Sequence, residues 1–324
     1  MPASPEISFV IPVYNKADVL PYVIRALAAQ QPRPDAEYIF VDDASSDASV
    51  AVLEREAPAA LRMVTVLRNT GNAGPSVRLN QGAAQARGRL LCLIDADELI
   101  LPDAVALMQQ ALQLHDADMA HGKVIRSTLP PAQIVPAALG SMPDCRTGDR
   151  PLQMILQGRG FVRMTWLVET ALFRAAGGCD TRIFIQDETL PLRLAAKAHR
   201  LVDFRGGMTL APQTTSHLSA DKRQQHHDRF FAYYNLLADQ PALPAKERQL
   251  IAATCASIAW KAVRRSGLPL AQFATLGAYL QGKAGMAVSA GFLDRAAAAF
   301  RALPGIRQAA PSMQPLLSPS APPS

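Results

Sequence analysis

Two acidic residues, Asp95 and Asp97, directly follow an apolar run in the segment GRLLCLIDADELILPDAV, and Glu98 is beside them. Each carboxylate disfavours ionisation of its neighbours, so a cluster of this kind calls for a nearby cation. In an extended segment, side chains at positions i and i+2 point to the same side, so both aspartates can face one ion. Oxygen ligands of this kind suit Mg²⁺ or Mn²⁺, often together with phosphate oxygens. The pattern predicts a divalent-metal site, and a solvated turn with a helix cap is the alternative.

Polar residues also follow two earlier apolar runs. ISFVIPV is apolar on both faces, as in a central strand of a parallel sheet, and Tyr14 and Asn15 follow it. YIFVDD ends in Asp42, which could accept a hydrogen bond from a base N–H, and in Asp43. We expect at least one of Asp43, Ser45 and Ser46 to cap the next helix. Ligands of open α/β sheets bind at the carboxyl ends of the strands, so these strand ends predict one site.

Strand-like and helix-like segments alternate through the first part of the chain. The strands are ISFVIPV, YIFVDD, LRMVTVL and RLLCLID, and an amphipathic helical segment follows each of them. This alternation predicts an α/β fold with a doubly wound, mostly parallel sheet flanked by helices. Residues 126–150 are Pro-rich and irregular, FVRMTWLVE resumes as a strand, and the later sequence is Ala-rich and helical. We expect a sheet domain over 1–220, a helical C-terminal extension over 221–303 and a disordered Pro-rich tail over 304–324.

The composition limits the partners. The 324 residues carry a net charge of +6, which suits an anionic ligand, an anionic membrane surface or nucleic acid. The basic residues lack the aromatic interleaving of a single-strand binder, so we do not expect nucleic acid. Four scattered cysteines without metal-ligand spacing indicate reduced thiols. We find no signal peptide and no apolar run of about 20 residues, so we expect a cytoplasmic protein that at most lies on the membrane surface.

Four segments, in this order and spacing, resemble family 2 glycosyltransferases of the GT-A fold. They are ISFVIPVYNKADVLPYVIRALAAQ, EYIFVDDASSD, RNTGNAGPSVRLNQGAAQARGRLLCLIDADE and FRAAGGCDTRIFIQDETLPLRLAAKAHRL. The resemblance covers roughly Ile7 to Leu201. It implies an inverting enzyme, assisted by Mn²⁺ or Mg²⁺, that transfers a sugar from a nucleotide-diphosphate donor to a hydroxyl acceptor. It also implies a glycan or lipid-linked acceptor, with surface-polysaccharide assembly as the usual setting.

The resemblance assigns roles by position. The nucleoside is expected to lie against Pro12, Val13, Tyr14 and Asn15, with Asp42 reading the base. Further donor contacts are expected from Asn72, Gly74, Asn80, Asp95 and Ala96. The metal ligands are expected to be Asp97, Asp95 and His217, although His217 also fits a loop histidine without a ligand.

Asp187, in IQDETLPLRL, falls on the family's catalytic aspartate, the general base that deprotonates the acceptor hydroxyl. Such a single displacement inverts the anomeric centre and needs one catalytic carboxylate, unlike the carboxylate pair of glycosidases. Gln186 replaces the family's usual acidic residue before the base, which keeps open a non-catalytic nucleotide-sugar-binding protein. A receiver-like signalling domain fits less well, because receivers place their paired acids after the first strand.

Three further features have two interpretations each. Trp166 suits either a stacking floor for an acceptor sugar or the core. In KRQQHHDRF, the residues His226, His227 and Asp228 favour a solvated helix face over a second metal site, because arginines surround them. Solvated helix faces are also favoured for the basic C-terminal residues, with contact to anionic lipid or a lipid-diphosphate acceptor as the alternative. These basic residues are Lys261, Arg264, Arg265 and Lys283. The sequence makes no prediction of oligomeric state.

Overall fold

The computed structural model describes residues 4–158, 165–213 and 221–307. The strands in these ranges are β1 (Ile7–Val13), β2 (Ala36–Asp42), β3 (Val64–Leu67), β4 (Leu90–Leu93), β5 (Leu99–Ile100), β6 (Met119–Arg126), β7 (Cys145–Gly148), β8 (Trp166–Glu169) and β9 (Leu201–Ala211). The helices are α1 (Leu20–Ala28), α2 (Ser49–Ala60), α3 (Pro75–Gln85), α4 (Ala104–Leu114), α5 (Pro151–Gln157), α6 (Thr170–Ala175), α7 (Gln186–Ala195), α8 (Lys222–Asp239), α9 (Ala245–Ser266), α10 (Gln272–Lys283) and α11 (Ala290–Arg301).

All the described strands belong to one sheet in the order β3-β2-β1-β4-β8-β6-β9-β5, with β7 paired to β9. The first four strands in this order are parallel, and β6 is parallel to β9. Strand β8 is antiparallel to β4 and β6, and β5 and β7 are antiparallel to β9. The predicted helix-flanked α/β sheet is confirmed, and the antiparallel pairings make its second half mixed.

Alternate residues of the central strands point to opposite faces of the sheet, as the pleat requires. On one face, Phe9 and Phe40 belong to a core with α1, α2 and α4. On the other, Val10 belongs to a core with α3, α5 and α7 that continues into the C-terminal helices through Phe230 and Phe300. The helical C-terminal segment therefore shares its apolar core with the sheet.

Helix α3 lies directly on β1 and β2 because Gly82 has no side chain. A Cβ at Gly82 would be 2.4 Å from Val10 Cγ1 and 3.0 Å from Val41 Cγ2. This close approach places the N-terminal end of α3 beside the carboxyl ends of both strands. Among the helices of the described residues, none combines the length and the apolar character that crossing a bilayer requires.

Candidate active site

The loops that follow β1 and β2 are joined by Asn15. Its backbone is in the left-handed region (φ 51°), its amide N–H donates to Ser45 Oγ at 3.0 Å, and its Oδ1 accepts from the Ser46 N–H at 2.8 Å. Of the other predicted nucleoside contacts, Tyr14 is exposed and Val13 is buried in the core. Pro12 is half-buried. Of the four residues predicted to contact the nucleoside, Tyr14 is therefore the exposed one, while Asn15 shapes the loop.

The two aspartates at the end of β2 have different surroundings. Asp42 is buried and accepts from the Ser45 N–H at 3.2 Å. Asp43 accepts from the N–H groups of Ala73 at 2.8 Å and Gly74 at 2.9 Å, and from Arg78 Nε at 2.6 Å. The expectation that Asp43, Ser45 or Ser46 caps the next helix is wrong, because α2 begins after Ala48 without a side-chain cap. The Asp43 carboxylate holds the start of α3 instead.

Among the predicted donor-binding residues of α3 and the loop before it, Gly74 and Asn80 make structural contacts and Asn72 is exposed. Gly74 has φ 87°, and a Cβ there would be 2.7 Å from the ring of Phe184, so only glycine fits without displacing that ring. Asn72 is exposed at the surface of the loop. Both amide atoms of Asn80 bind the backbone of Cys179, at 2.9 and 2.8 Å. Asn80 thus joins α3 to the loop before α7.

Four carboxyl groups form an acidic cluster, which consists of Asp95, Asp97, Glu98 and Asp187. Gln186 Nε2 donates to Asp95 Oδ1 at 3.0 Å, and Lys16 Nζ lies 2.5 Å from Asp97 Oδ2. Glu98 is buried and accepts from Thr165 Oγ1 at 3.2 Å. Asp187 is in the first turn of α7, close enough for its charge to raise the pKa of Glu98.

Burial and mutual repulsion control ionisation in the acidic cluster. Burial, followed by the charge of Asp97, raises the pKa of Asp95 to about 7, although Lys16 and Gln186 act in the opposite direction. Burial is also the largest cause that raises the pKa of Glu98 well above its usual value, and the other three acids add to it. The site therefore favours a ligand that brings positive charge.

The carboxylates at the end of β4 are the side chains that could hold the divalent ion that the resemblance implies. Within the described ranges, no group of three or more His, Cys, Asp or Glu side chains is placed to hold a metal. Asp95 and Asp97 offer a carboxylate pair, which suits Mg²⁺ or Mn²⁺ when phosphate and water oxygens complete the coordination. The raised pKa of Asp95 fits this role, because a bound cation favours the ionised carboxylate. Ala96, between the two ligands, is buried, and His217 lies outside the described residues.

The residues around Asp187, numbered 184–188 and called here the base segment, are fixed by four residues from three separate parts of the fold. The Phe184 carbonyl accepts from Ser76 Oγ on α3 at 3.1 Å. Gln186 binds Asp95 after β4. Two contacts come from α8: Asp228 Oδ2 accepts from the Ile185 N–H at 2.9 Å, and Arg229 makes a two-point ion pair with Glu188 at 2.6 and 2.8 Å. These contacts fix Asp187 relative to the strand end that carries Asp95 and Asp97.

Asp228 is the functional residue that the sequence interpretation missed. It is fully buried, and its Oδ1 accepts from Gln224 Nε2 at 2.9 Å and lies 2.8 Å from His227 Nδ1. The expected solvated face is therefore wrong for His227 and Asp228. The spacing i, i+4 of Gln224 and Asp228, in line with Phe231, was the available signal.

Trp166 is fully buried, so the core interpretation of that residue is the one that the structure bears out.

A sheet of this topology, with an acidic pair after β4 and an aspartate in the first turn of a later helix, is the arrangement expected of the GT-A fold. Residues 8–163 match the family described as Glycosyl transferase family 2. The chain therefore contains a region of the Glycosyl transferase family 2 type.

Two curated relatives and two solved structures illustrate the match. The succinoglycan biosynthesis protein ExoO of Rhizobium meliloti is 31% identical over 116 residues, which are 36% of this chain and 32% of ExoO. The poly(ribitol-phosphate) beta-glucosyltransferase of Bacillus spizizenii is 30% identical over 120 residues, which are 37% of this chain and 19% of that protein. The match thus spans a third or less of either relative.

The solved structures match over most of the chain. S. aureus TarS 1-349 in complex with UDP-GlcNAc has a TM-score of 0.65 at 17% identity and covers 90% of this chain and 83% of its own. The mannosyltransferase PcManGT of Pyrobaculum calidifontis, in complex with GDP-Man and Mn²⁺, has a TM-score of 0.52 at 17% identity, with 93% and 87% covered. These likenesses establish the fold, and the expected GT-A architecture with C-terminal helices is confirmed.

We predict that Asp95→Asn stabilises the free protein at neutral and higher pH. Because folding raises the pKa of Asp95 from 3.8 to about 7, its ionisation lowers the free energy of unfolding as the pH rises through that window. The variant removes this cost, so its advantage grows from pH 4 to 7 and then stays constant, at a value of up to about 4 kcal/mol. Urea unfolding at about pH 5 and about pH 8 measures it. Asn at the exposed Asp35 is the control, and an Asp95→Asn advantage that shrinks with pH contradicts the prediction.

We predict that Asp228→Ala destabilises the fold and loosens the base segment. The substitution leaves the Ile185 N–H and the Gln224 amide without their buried acceptor, at a cost of about 2–4 kcal/mol. Urea unfolding measures the cost, and hydrogen exchange measures protection of the Ile185 amide. Asp294→Ala, in the same helical region, is the matched control, because Asp294 accepts only an exposed bond from Tyr234. Equal losses in the two variants, with Ile185 still protected, would show that Asp228 does not hold the segment.

Proposed function

We propose that this protein is an inverting glycosyltransferase that uses a nucleotide-diphosphate sugar as donor and Mn²⁺ or Mg²⁺ as its ion. One observation carries the proposal: Asp95, Asp97 and Asp187 belong to one acidic cluster, and the Gln186–Asp95 bond at 3.0 Å ties the base segment to the metal-binding strand. This bond holds the segment that would take the acceptor proton against the segment that would handle the leaving diphosphate.

The proposed reaction is a single displacement. Asp187 accepts the proton of the acceptor hydroxyl while that oxygen forms its bond to the anomeric carbon on one face of the sugar. The bond from this carbon to the diphosphate oxygen breaks on the opposite face, and the nucleoside diphosphate leaves with the electron pair. Asp95 and Asp97 would hold the ion, which supplies positive charge to the leaving diphosphate.

The relatives support the proposed donor and acceptor classes. TarS is described with UDP-GlcNAc and PcManGT with GDP-Man and Mn²⁺, so we propose a nucleotide-diphosphate sugar whose base Asp42 reads. ExoO is named for succinoglycan biosynthesis and the Bacillus enzyme for poly(ribitol-phosphate). We therefore propose a hydroxyl of a surface glycan or lipid-linked oligosaccharide as the acceptor. Gln186 favours one alternative, a donor-binding protein without turnover.

A thermal-shift screen of UDP, GDP and their sugars, with and without Mn²⁺, tests the donor site. We expect one base to raise the melting temperature by a few degrees only when Mn²⁺ is present, because a ligand of the folded state stabilises it by mass action. Asp97→Asn should remove the Mn²⁺-dependent shift, since it removes a metal ligand. Asp187→Asn should keep the shift, since the base does not bind the ion.

Slow hydrolysis of the donor distinguishes an enzyme from a protein that only binds the donor. The wild type should release nucleoside diphosphate from the matching sugar donor in the presence of Mn²⁺, with water as acceptor. Asp187→Asn should lower that rate by about 100-fold or more, while binding stays intact. A variant that hydrolyses donor at the wild-type rate would refute the base assignment. A wild type that binds donor without hydrolysing it would favour the binding protein.

We also propose that the surface formed by α9 and α10 contacts anionic membrane. Phe273, Leu280 and Met286 are 91, 53 and 54% exposed. Beside them, Trp260 stacks on Tyr279, Arg264 lies over Trp260 and Lys283 lies over Tyr279. Exposed apolar side chains flanked by aromatic rings and cations suit the interface of an anionic bilayer. The exposure of the basic residues also agrees with the solvated faces expected from the sequence.

Flotation with vesicles tests this contact. The wild type should bind vesicles that contain phosphatidylglycerol more strongly than neutral ones, and the double change Phe273→Glu and Leu280→Glu should reduce binding at least tenfold. Leu114→Glu is the control, because Leu114 is 68% exposed on α4, far along the chain from this surface. Equal binding of the double variant and the wild type would exclude this surface as the contact.

A further inference from the structure

Lys16 is a cation in direct contact with a proposed metal ligand. It follows Asn15 at the end of β1, and its Nζ lies 2.5 Å from Asp97 Oδ2. The two side chains are only 18 and 22% exposed, so solvent screens the pair incompletely. The contact joins residues 81 positions apart. It connects the nucleoside-binding loop to the metal-binding strand end.

The backbone of Lys16 is anchored on both sides. Its N–H donates to Ser49 Oγ at 2.7 Å, and its carbonyl accepts from the N–H groups of Val19 and Leu20 at 3.1 and 3.0 Å. The next N–H, of Ala17, donates to Asp47 Oδ2 at 3.0 Å. With its main chain fixed, the lysine can still move its ammonium group, because four rotatable carbons separate that group from Cα.

A divalent ion bound through Asp97 needs the same carboxylate that Lys16 contacts. Two cations close to one carboxylate repel each other, and the repulsion is larger in a partly buried site than in water. The ion must therefore displace the ammonium group. In the free protein, displacing the Lys16 ammonium group breaks its ion pair with Asp97 without forming a new one. A bound donor instead offers the ammonium group the oxygens of its diphosphate.

We propose that Lys16 is a tethered counter-ion that occupies Asp97 in the donor-free enzyme and yields it to the divalent ion when the donor diphosphate arrives. The inference rests on the proposed metal-assisted transferase function. It makes the binding of ion and nucleotide cooperative, because each removes an obstacle to the other, and the coupling is reciprocal. It also protects the acidic cluster from charge repulsion between turnovers.

Binding of Mn²⁺ alone is the decisive measurement, because it requires neither acceptor nor turnover. Free Mn²⁺ is followed by electron paramagnetic resonance in titrations of the wild type and of Lys16→Met, which keeps the length of the side chain and removes its charge. We expect the variant to bind Mn²⁺ about tenfold more tightly in the absence of nucleotide. In the same titrations with UDP or GDP, we expect the nucleotide to strengthen Mn²⁺ binding much less in the variant than in the wild type.

Three further variants isolate the cause. Lys16→Arg keeps the charge and should bind Mn²⁺ as weakly as the wild type. Lys197→Met, which removes a lysine that contacts Gln240 at the C-terminal end of α8, should leave binding unchanged. Adding Asp97→Asn to Lys16→Met should abolish the gain, which would locate the ion at Asp97. Circular dichroism of each variant confirms that it is folded.

The outcomes separate the two proposals. If the wild type binds Mn²⁺ with nucleotide, but Lys16→Met binds Mn²⁺ alone no better than the wild type, the counter-ion inference is wrong and the metal-assisted function stands. Weaker nucleotide binding with unchanged binding of Mn²⁺ alone would make Lys16 a simple phosphate ligand and would also overturn the inference. If neither protein binds Mn²⁺ under any condition, the proposed metal function itself fails.

Discussion

The bond from the Ile185 N–H to the buried carboxylate of Asp228 is the contact on which the geometry of the site depends. The base segment has to leave the loop after α6, present Asp187 to the acidic cluster and begin α7, so its first N–H groups have no intrahelical partners. Asp228 supplies one acceptor at 2.9 Å from a helix that belongs to a distant part of the sequence. Arg229, the next residue, pairs with Glu188 one turn further on. Two adjacent residues of α8 thereby fix both ends of the short segment that carries the proposed base.

The second constraint is the balance of charge around Asp95. A fifth carboxylate at position 186, where the family usually has an acid, would lie within contact distance of Asp95 and would raise its pKa further. Gln186 instead donates a hydrogen bond that lowers this pKa. The departure from the family pattern therefore helps the ionised form that a metal ligand requires. Together with Lys16, it offsets part of the repulsion that four clustered carboxyl groups create.

The parts of the fold that the sequence predicts are those with local or periodic signals. Strands β1, β2 and β4 are continuous apolar runs, and the polar residues that end them mark the site edge without any knowledge of tertiary contacts. Strand β5 has only two residues, and β7 has the sequence CRTG without an apolar run, so neither carries a strand signal of its own.

The contacts that organise the site are long-range, and the sequence hides them for that reason. Asp43 holds Gly74 from 31 positions away, Asn80 holds Cys179 from 99, and Asp228 holds Ile185 from 43. A polar residue on a helix usually faces water, so HHDR in α8 resembles a solvated surface until the partner helix is known. Only the i, i+4 spacing of Gln224 and Asp228, on the face that carries Phe231, distinguishes this buried face from a solvated one.

The end of the described chain shows why the C-terminal helices belong to the site. Residues 304–307 fall in the stretch whose composition predicts a disordered tail, yet the N–H and carbonyl of Arg307 both bind the Gln224 amide, at 2.8 and 3.0 Å. The Arg307 guanidinium also lies 5.1 Å from the centre of the Phe184 ring. The same ring closes against Gly74, in the loop proposed to contact the donor. One aromatic side chain thus contacts the donor loop, the base segment and the returning chain, so a shift of the C-terminal helices would move donor-side and acceptor-side groups together.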